Sequence, residues 1–315
     1  MQQTQAPEGG GETTDRTADR TADRTTNRSG ERRLAAPLLA LFAGPMGHIA
    51  LGYWQRACAW CAAGLAIAAT CVISIYTGSP RIMWLTIGAA VVLRLSVIAD
   101  VVRLRRLHPL PRLRAVVLIG IGFAIFYQIL AVKVRTDLVE AFKIPSLSMS
   151  PTLEVGDHVF TRKSARVFGR GDVVVFGYPL DPTTKYIKRI VGVGGDVVAI
   201  DRGQLSINRQ PVARQRLEDP CSEPDGTGSC TYWQETLDGK TWRVALSDQA
   251  PAHDSPPTVV PEGAFFVLGD NRDASSDSRV WGPVRQELIV GQPIFTWWSS
   301  GTTGVRWSRI NQPIR

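Results

Sequence analysis

Apolar residues gather in long runs along the first half of this chain. Two runs, 57–76 and 115–132, hold 20 and 18 residues without an Asp, Glu, Lys or Arg. As helices, both are long enough to cross roughly 30 Å of hydrocarbon. Residues 82–102 form a third run, which carries Arg94 and Asp100. Arg94 reads as a side chain that snorkels or faces a neighbouring helix. Residues 34–55 are uncharged too, but Pro37, Gly44, Pro45 and Gly47 break them, and only Arg56 separates them from the next run. That leaves little room for a hairpin, so 34–55 reads equally as a re-entrant or interfacial segment and as a span. The membrane region, 34–135, therefore has three or four apolar segments.

After residue 136 the pattern changes to short runs rich in Val, Ile and aromatics, punctuated by Gly, Pro and Asp. The predicted strands are His158–Thr161, Asp172–Phe176, Tyr186–Val191, Asp196–Ile200, Trp242–Leu246 and Ala264–Leu268. Asp201-Arg202-Gly203 reads as a hairpin turn. No long amphipathic helix appears. Residues 136–315 are expected to form one β-rich domain of sandwich or barrel type.

Charge sorts the chain the same way. Residues 1–33 balance six Arg against six acids, and 13–28 read TTDRTADRTADRTTNR. With no aliphatic larger than Ala, this tail cannot bury enough surface to offset its ordering entropy, so it is expected to be disordered. Residues 34–135 carry ten Lys and Arg against one acid, Asp100, while 136–315 carry 20 basic and 21 acidic residues. A nucleic-acid binder would carry its excess on a folded polar face. Here it flanks apolar runs, so the expected partner is a lipid bilayer and not a nucleic acid. The connection 103–114 holds five Arg and no acid. By the positive-inside rule it is cytoplasmic, which places everything after about residue 136 on the extracytoplasmic side.

Chemistry is expected in that exported domain. The four histidines (48, 108, 158, 253) have no metal-ligand spacing, and no G-x-S-x-G or H-E-x-x-H occurs. What remains is a serine with a lysine base. Such a lysine must lose its proton, which burial favours. Ile144-Pro145-Ser146-Leu147-Ser148-Met149-Ser150-Pro151-Thr152-Leu153 offers serines on a proline-held turn, and Tyr186-Ile187-Lys188-Arg189-Ile190-Val191 offers a lysine in a strand. Alternation sets Lys188 with Tyr186 and Ile190, and Arg189 with Ile187 and Val191, so it does not choose between the two cations.

Segment 144–153 resembles the nucleophile motif of type I (leader) signal peptidases, the Ser-Lys membrane proteases. Three more stretches match in order: 170–176, then 186–196, then Gly269-Asp270-Asn271-Arg272-Asp273-Ala274-Ser275-Ser276-Asp277-Ser278-Arg279; the run 305–310 looks like the family's ending. The resemblance covers roughly 138–310. It implies transmembrane helices followed by a mainly antiparallel β catalytic domain, Ser148 as nucleophile and Lys188 as general base. It further implies an oxyanion hole from the Ser148 N–H and the Ser146 hydroxyl, and a Ser275 hydroxyl that orients the Lys188 amine. Asp277 would support the site in an ion-pair cluster with Arg279 and Arg189. The implied activity is removal of signal peptides from exported preproteins, after small residues at −1 and −3, without metal or cofactor. The implied place is a bacterial-type cytoplasmic membrane, crossed several times.

Leu147 and Ala274 depart from this pattern, standing where glycine and asparagine are frequent. Leu147 could reshape the substrate groove, which opens the alternative of a paralogue dedicated to a narrow substrate class. A catalytically silent membrane scaffold is the remaining alternative. An oxidising compartment would let Cys221 and Cys230 close a small disulfide ring. Cys58 and Cys61, inside an apolar run, read as packing residues. Trp297 and Trp298, near Phe295, read as interface or core aromatics.

Overall fold

The computed structural model describes residues 34–41, 44–104, 113–163, 167–221, 229–249 and 254–315; the charged tail 1–33 lies outside them. Helices come first: α1 (34–41), α2 (Met46–Ala50), α3 (Trp54–Tyr76), α4 (Pro80–Arg103) and α5 (Leu113–Lys133). Fifteen strands follow. They are β1 (Val139–Lys143), β2 (Asp157–Arg162), β3 (Val173–Tyr178), β4 (Asp181–Val193), β5 (Val197–Asp201), β6 (Gln204–Ile207), β7 (Gln210–Pro211) and β8 (Ala213–Arg216). Then come β9 (Cys230–Leu237), β10 (Lys240–Ser247), β11 (Ser255–Val259), β12 (Ala264–Leu268), β13 (Val284–Arg285), β14 (Ile289–Gly301) and β15 (Gly304–Val305), with a four-residue α6 (Ser278–Trp281) after β12. The chain divides into a helical unit and a β unit; the second comprises Ser74–Arg81 and Ala131–Arg315.

In the helical unit, α3 and α4 have 23 and 24 residues and are apolar enough to cross a membrane. Their large side chains, among them Ile73, Leu85, Val92 and Leu95, are mostly solvent-facing, as lipid-facing helices require. The 34–55 segment is not one helix. The eight described residues of α1 span about 12 Å, and the five of α2 are shorter still, well under 30 Å. Both pack on α4, with Ala36, Ala40 and Leu51 against Val97 and Val101. Gly47 permits this approach, since a Cβ there would lie 2.6 Å from the Ala36 carbonyl oxygen.

Two charged residues of α4 hold the broken segment. Arg94 donates from Nε and a terminal nitrogen to the Leu41 carbonyl. Asp100 gathers three donors from two elements: buried His48 Nε2 at 2.9 Å, Arg56 at 2.7 Å and Trp60 Nε1 at 3.2 Å.

The β unit divides its strands among three antiparallel sheets. The largest runs β1-β2-β14-β3-β4-β12-β13, with β15 on β14; the others are β11-β5-β6-β7 and β10-β9-β8. Four of the six predicted strands fall within observed ones; the other two, 172–176 and 196–200, begin one residue before Val173 of β3 and Val197 of β5. The 201–203 turn joins β5 to β6 with Arg202 at φ 47° and Gly203 at φ 71°, the two left-handed residues of a type I′ hairpin. The same device at Asp238-Gly239 joins β9 to β10, a hairpin the strand pattern did not single out.

Cys221 and Cys230 are joined as a disulfide, while Cys58, Cys61 and Cys71 lie in α3 outside any disulfide among the described residues. Trp297 packs edge-on to His158 and stacks on Phe160; Trp298 meets the exposed Trp307. The C-terminal segment is clasped by buried Asp157, which accepts from Arg309 at 2.7 Å, Arg306 at 3.3 Å and the Ser299 hydroxyl at 2.6 Å. Burial pushes the Asp157 carboxyl up, but Arg309 and the other donors outweigh it and hold it below its ordinary range.

Candidate active site

From β1 the chain enters a tight loop that is tied back to β2, with Ile144 N–H donating to Asp157 O and Gly156 N–H to Ile144 O. Within it, Ser150 N–H donates to Leu147 O at 2.9 Å and closes a turn that carries Ser148. Met149 and Leu153, both fully buried, anchor this turn in a cluster with Ile144, Val159, Val173, Val175 and Ile187. Leu147 is half-buried and is not among the residues with positive φ, so this backbone makes no demand for glycine there.

Lys188 comes from the middle of β4, opposite Val174 of β3. From Ile187 to Gly192 every residue of β4 is buried, because β3 and β12 flank it and both faces are covered. Lys188 is 3% exposed, and its Nζ lies 2.6 Å from Ser148 Oγ. Burial lowers its pKa from 10.5 to about 8. Asp277 and Asp270 oppose that shift and Arg279 reinforces it. The Ser146 hydroxyl is 3.2 Å from Ser148 Oγ.

The loop after β12 supports the pair from the other side. Asp277 is fully buried and caps α6, and it accepts from Arg279 Nε, from Gly269 N–H and from the Ser275 hydroxyl, each at 2.8–3.0 Å. Burial raises its pKa, and the Arg279 hydrogen bond and charge more than reverse this, so it stays ionised. The Ser275 hydroxyl thus donates to Asp277, and no Ser275–Lys188 hydrogen bond is made among the described residues. Its oxygen still has lone pairs to accept from the amine.

The expected three-member ion-pair cluster is split in two. Arg279 pairs with Asp277, while Arg189 pairs with Asp270 at 2.6 and 2.8 Å. Arg189 also donates to Gly171 O and lies over the Trp242 ring. The reason is strand parity: Arg189 leaves β4 on the face opposite Lys188, where Asp270 waits.

Glu235 of β9 was not singled out from sequence. It is 2% exposed, binds Arg272 through both carboxylate oxygens at 2.7 and 2.5 Å, and accepts from Trp242 Nε1. Arg272 in turn donates to Gly269 O, and Asn271 N–H donates to Ser148 O at 3.2 Å. The available signal was parity, since Glu235 sits opposite the buried Trp242 on the β9–β10 ladder and so points inward. Among the described residues, no three His, Cys, Asp or Glu side chains converge as metal ligands.

Gly269 is the closest approach in the site. A Cβ there would lie 2.3 Å from Ser275 Oγ and 2.4 Å from Ser148 O. Gly269→Ala is therefore expected to displace the nucleophile turn and to lower kcat/KM at least about a hundredfold. Kinetics of the purified variant check this, and an unchanged kcat/KM would show that the turn yields freely.

A family model described as "Signal peptidase, peptidase S26" matches residues 116–298. The signal peptidase I of Pseudomonas fluorescens is 38% identical over 194 residues, covering 52% of this chain and 66% of that protein. The signal peptidase I of Pseudomonas aeruginosa is 37% identical over 195 residues, with the same coverage. That of Aquifex aeolicus is 32% identical over 210 residues, covering 56% of this chain and 82% of that protein. The matched region thus spans slightly less than two thirds of the two Pseudomonas relatives.

Proposed function

This chain belongs to the signal peptidase, peptidase S26, family, and on that premise we propose that it is a membrane-bound serine endopeptidase that removes signal peptides from exported preproteins. The observation that carries the reading is the 2.6 Å contact between a buried Lys188 and Ser148. Neutral Lys188 takes the Ser148 hydroxyl proton as Oγ attacks the scissile carbonyl. The Ser148 N–H and the Ser146 hydroxyl stabilise the oxyanion. Collapse breaks the C–N bond, and the protonated lysine gives its proton to the departing amine of the mature chain. Lys188 then activates a water that hydrolyses the acyl-enzyme and frees the signal peptide. Small residues at −1 and −3 complete the reading. An assembled nucleophile and base speak against a silent scaffold.

For the membrane region we propose three spans, α3, α4 and α5, with 34–55 entering one leaflet only. Two features support an extracytoplasmic β domain. The α3–α4 turn, Ser74–Arg81, belongs to the same compact unit as the β strands. The Arg-rich connection 103–114 lies at the other end of α4.

The test is the pH dependence of cleavage by the detergent-solubilised full chain. Only the neutral amine can accept the proton, so kcat/KM on a model preprotein should rise about tenfold per unit below pH 8 and level off above it. A profile flat from pH 6 to 9, or no cleavage of a preprotein with small residues at −1 and −3, would overturn the reading.

A further inference from the structure

Asp270 to Arg272 run alongside β10, with Ala245 N–H donating to Asp270 O and Arg272 N–H to Ala245 O. From the other edge of this strip, Asn271 N–H reaches Ser148 O. Ser148 and β10 are therefore two strand spacings apart, roughly 10 Å. Continuing along β10, Leu246 and Ser247 form a wall of an open cleft of about 350 Å³.

The cleft lining carries three Arg against two Asp. Arg214 and Arg216 project from the same face of β8, and Arg202 reaches in from the β5–β6 turn. Arg214 is held flat on the Trp233 ring at 4.5 Å while it donates to Gly203 O. The two carboxylates of the lining are already engaged. Asp248 accepts from the Thr231 hydroxyl at 2.8 Å and Asp273 from Ser247 N–H at 2.7 Å. Arg202 meets only its neighbour Asp201, at 3.7 Å in open solvent. Among the described residues, Arg216 has no carboxylate partner. Uncommitted guanidinium forks beside an indole platform suit carboxylate side chains on an extended polypeptide.

We propose that this cleft is an exosite for acidic residues of the substrate's mature segment, about three to six positions after the cleaved bond. The inference rests on the signal-peptidase reading of Ser148 and Lys188. On this proposal the signal-bearing half of a substrate lies toward β1 and the mature half toward the cleft. At about 3.3 Å per residue, 10–20 Å is three to six residues. Segments translocated next to an apolar stretch avoid Lys and Arg, so the cleft rarely meets a cation.

Two model preproteins, identical except for Asp or Asn at positions +3 to +6, test this with the full chain in uncharged detergent. The Asp form should have about fivefold higher kcat/KM, chiefly through KM, and 0.5 M salt should erase the difference. Arg202→Gln/Arg216→Gln, at two exposed positions, should remove the preference while leaving the Asn preprotein unaffected. Equal cleavage of both by the unaltered protein, or a preference that survives in the double variant, overturns the exosite while leaving the catalytic reading intact. Failure to cleave either preprotein overturns both. Should the double variant lose binding to anionic but not neutral vesicles, with substrate preference unchanged, the cleft serves lipid headgroups and the proposal fails.

Discussion

Lys188→Met is expected to abolish preprotein cleavage, by about 10⁴-fold or more, while making the folded protein more stable at neutral pH. The loss of activity follows from removing the group that, among the described residues, touches the Ser148 hydroxyl and can take its proton. Ser148→Ala should be equally inactive, and the double variant no worse than either single one, because nucleophile and base act as a unit. The stability gain follows from linkage. Lys188 titrates near pH 8 when folded, against an ordinary value of 10.5. Below pH 8 both states are protonated, and the folded one bears the cost of a buried charge. Between 8 and 10.5 only the unfolded chain holds the proton, so stability rises with pH and the cost is gone above that window. Methionine removes the cost at neutral pH, a gain of up to about 3 kcal/mol that vanishes above pH 10.5. Denaturation at pH 7 and pH 10.5 measures it. Robust cleavage by either single variant would sink the Ser-Lys assignment.

Glu235→Ala is expected to be the most destabilising single change in the β unit, by about 3–5 kcal/mol, because it strands Arg272 as a buried, unpaired cation. Activity should fall with it, since Arg272 secures the loop whose Asn271 N–H holds the Ser148 carbonyl. Replacing both partners, Glu235→Met/Arg272→Met, should restore most of the stability, because two apolar groups leave no charge behind. Unfolding followed by tryptophan fluorescence gives the comparison. A Glu235→Ala variant within about 0.5 kcal/mol of the parent would mean that water reaches Arg272.

Sequence reading went furthest where one local rule sufficed. Six strands of the β unit were legible because glycines, prolines and aspartates end runs of Val and Ile. The turn at Arg202-Gly203 was legible because few residues accept its backbone. The choice between Lys188 and Arg189 was not legible, for a reason that lies in β4 itself. Alternation discriminates only when one face is wet, and here both faces are covered. The resemblance at 269–279 supplied the roles, yet it joined Arg189 to Asp277, whereas the side chains make two separate pairs. Glu235 and Arg272, 37 residues apart, meet through a sheet pairing that no local pattern encodes. The segment 34–55 was ambiguous because glycine and proline mark a break without saying whether the chain turns back.

That break has a consequence for the lipid around α4. On the proposed three-span reading, the short helices tethered through Arg94 and Asp100 would occupy membrane area in one leaflet and none in the other. Acyl chains of the opposing leaflet must splay and tilt to fill the volume beneath the wedge. On the three-span reading, the protein carries its own local asymmetry of lateral pressure, thinning the bilayer on the flank of α4 where the wedge sits.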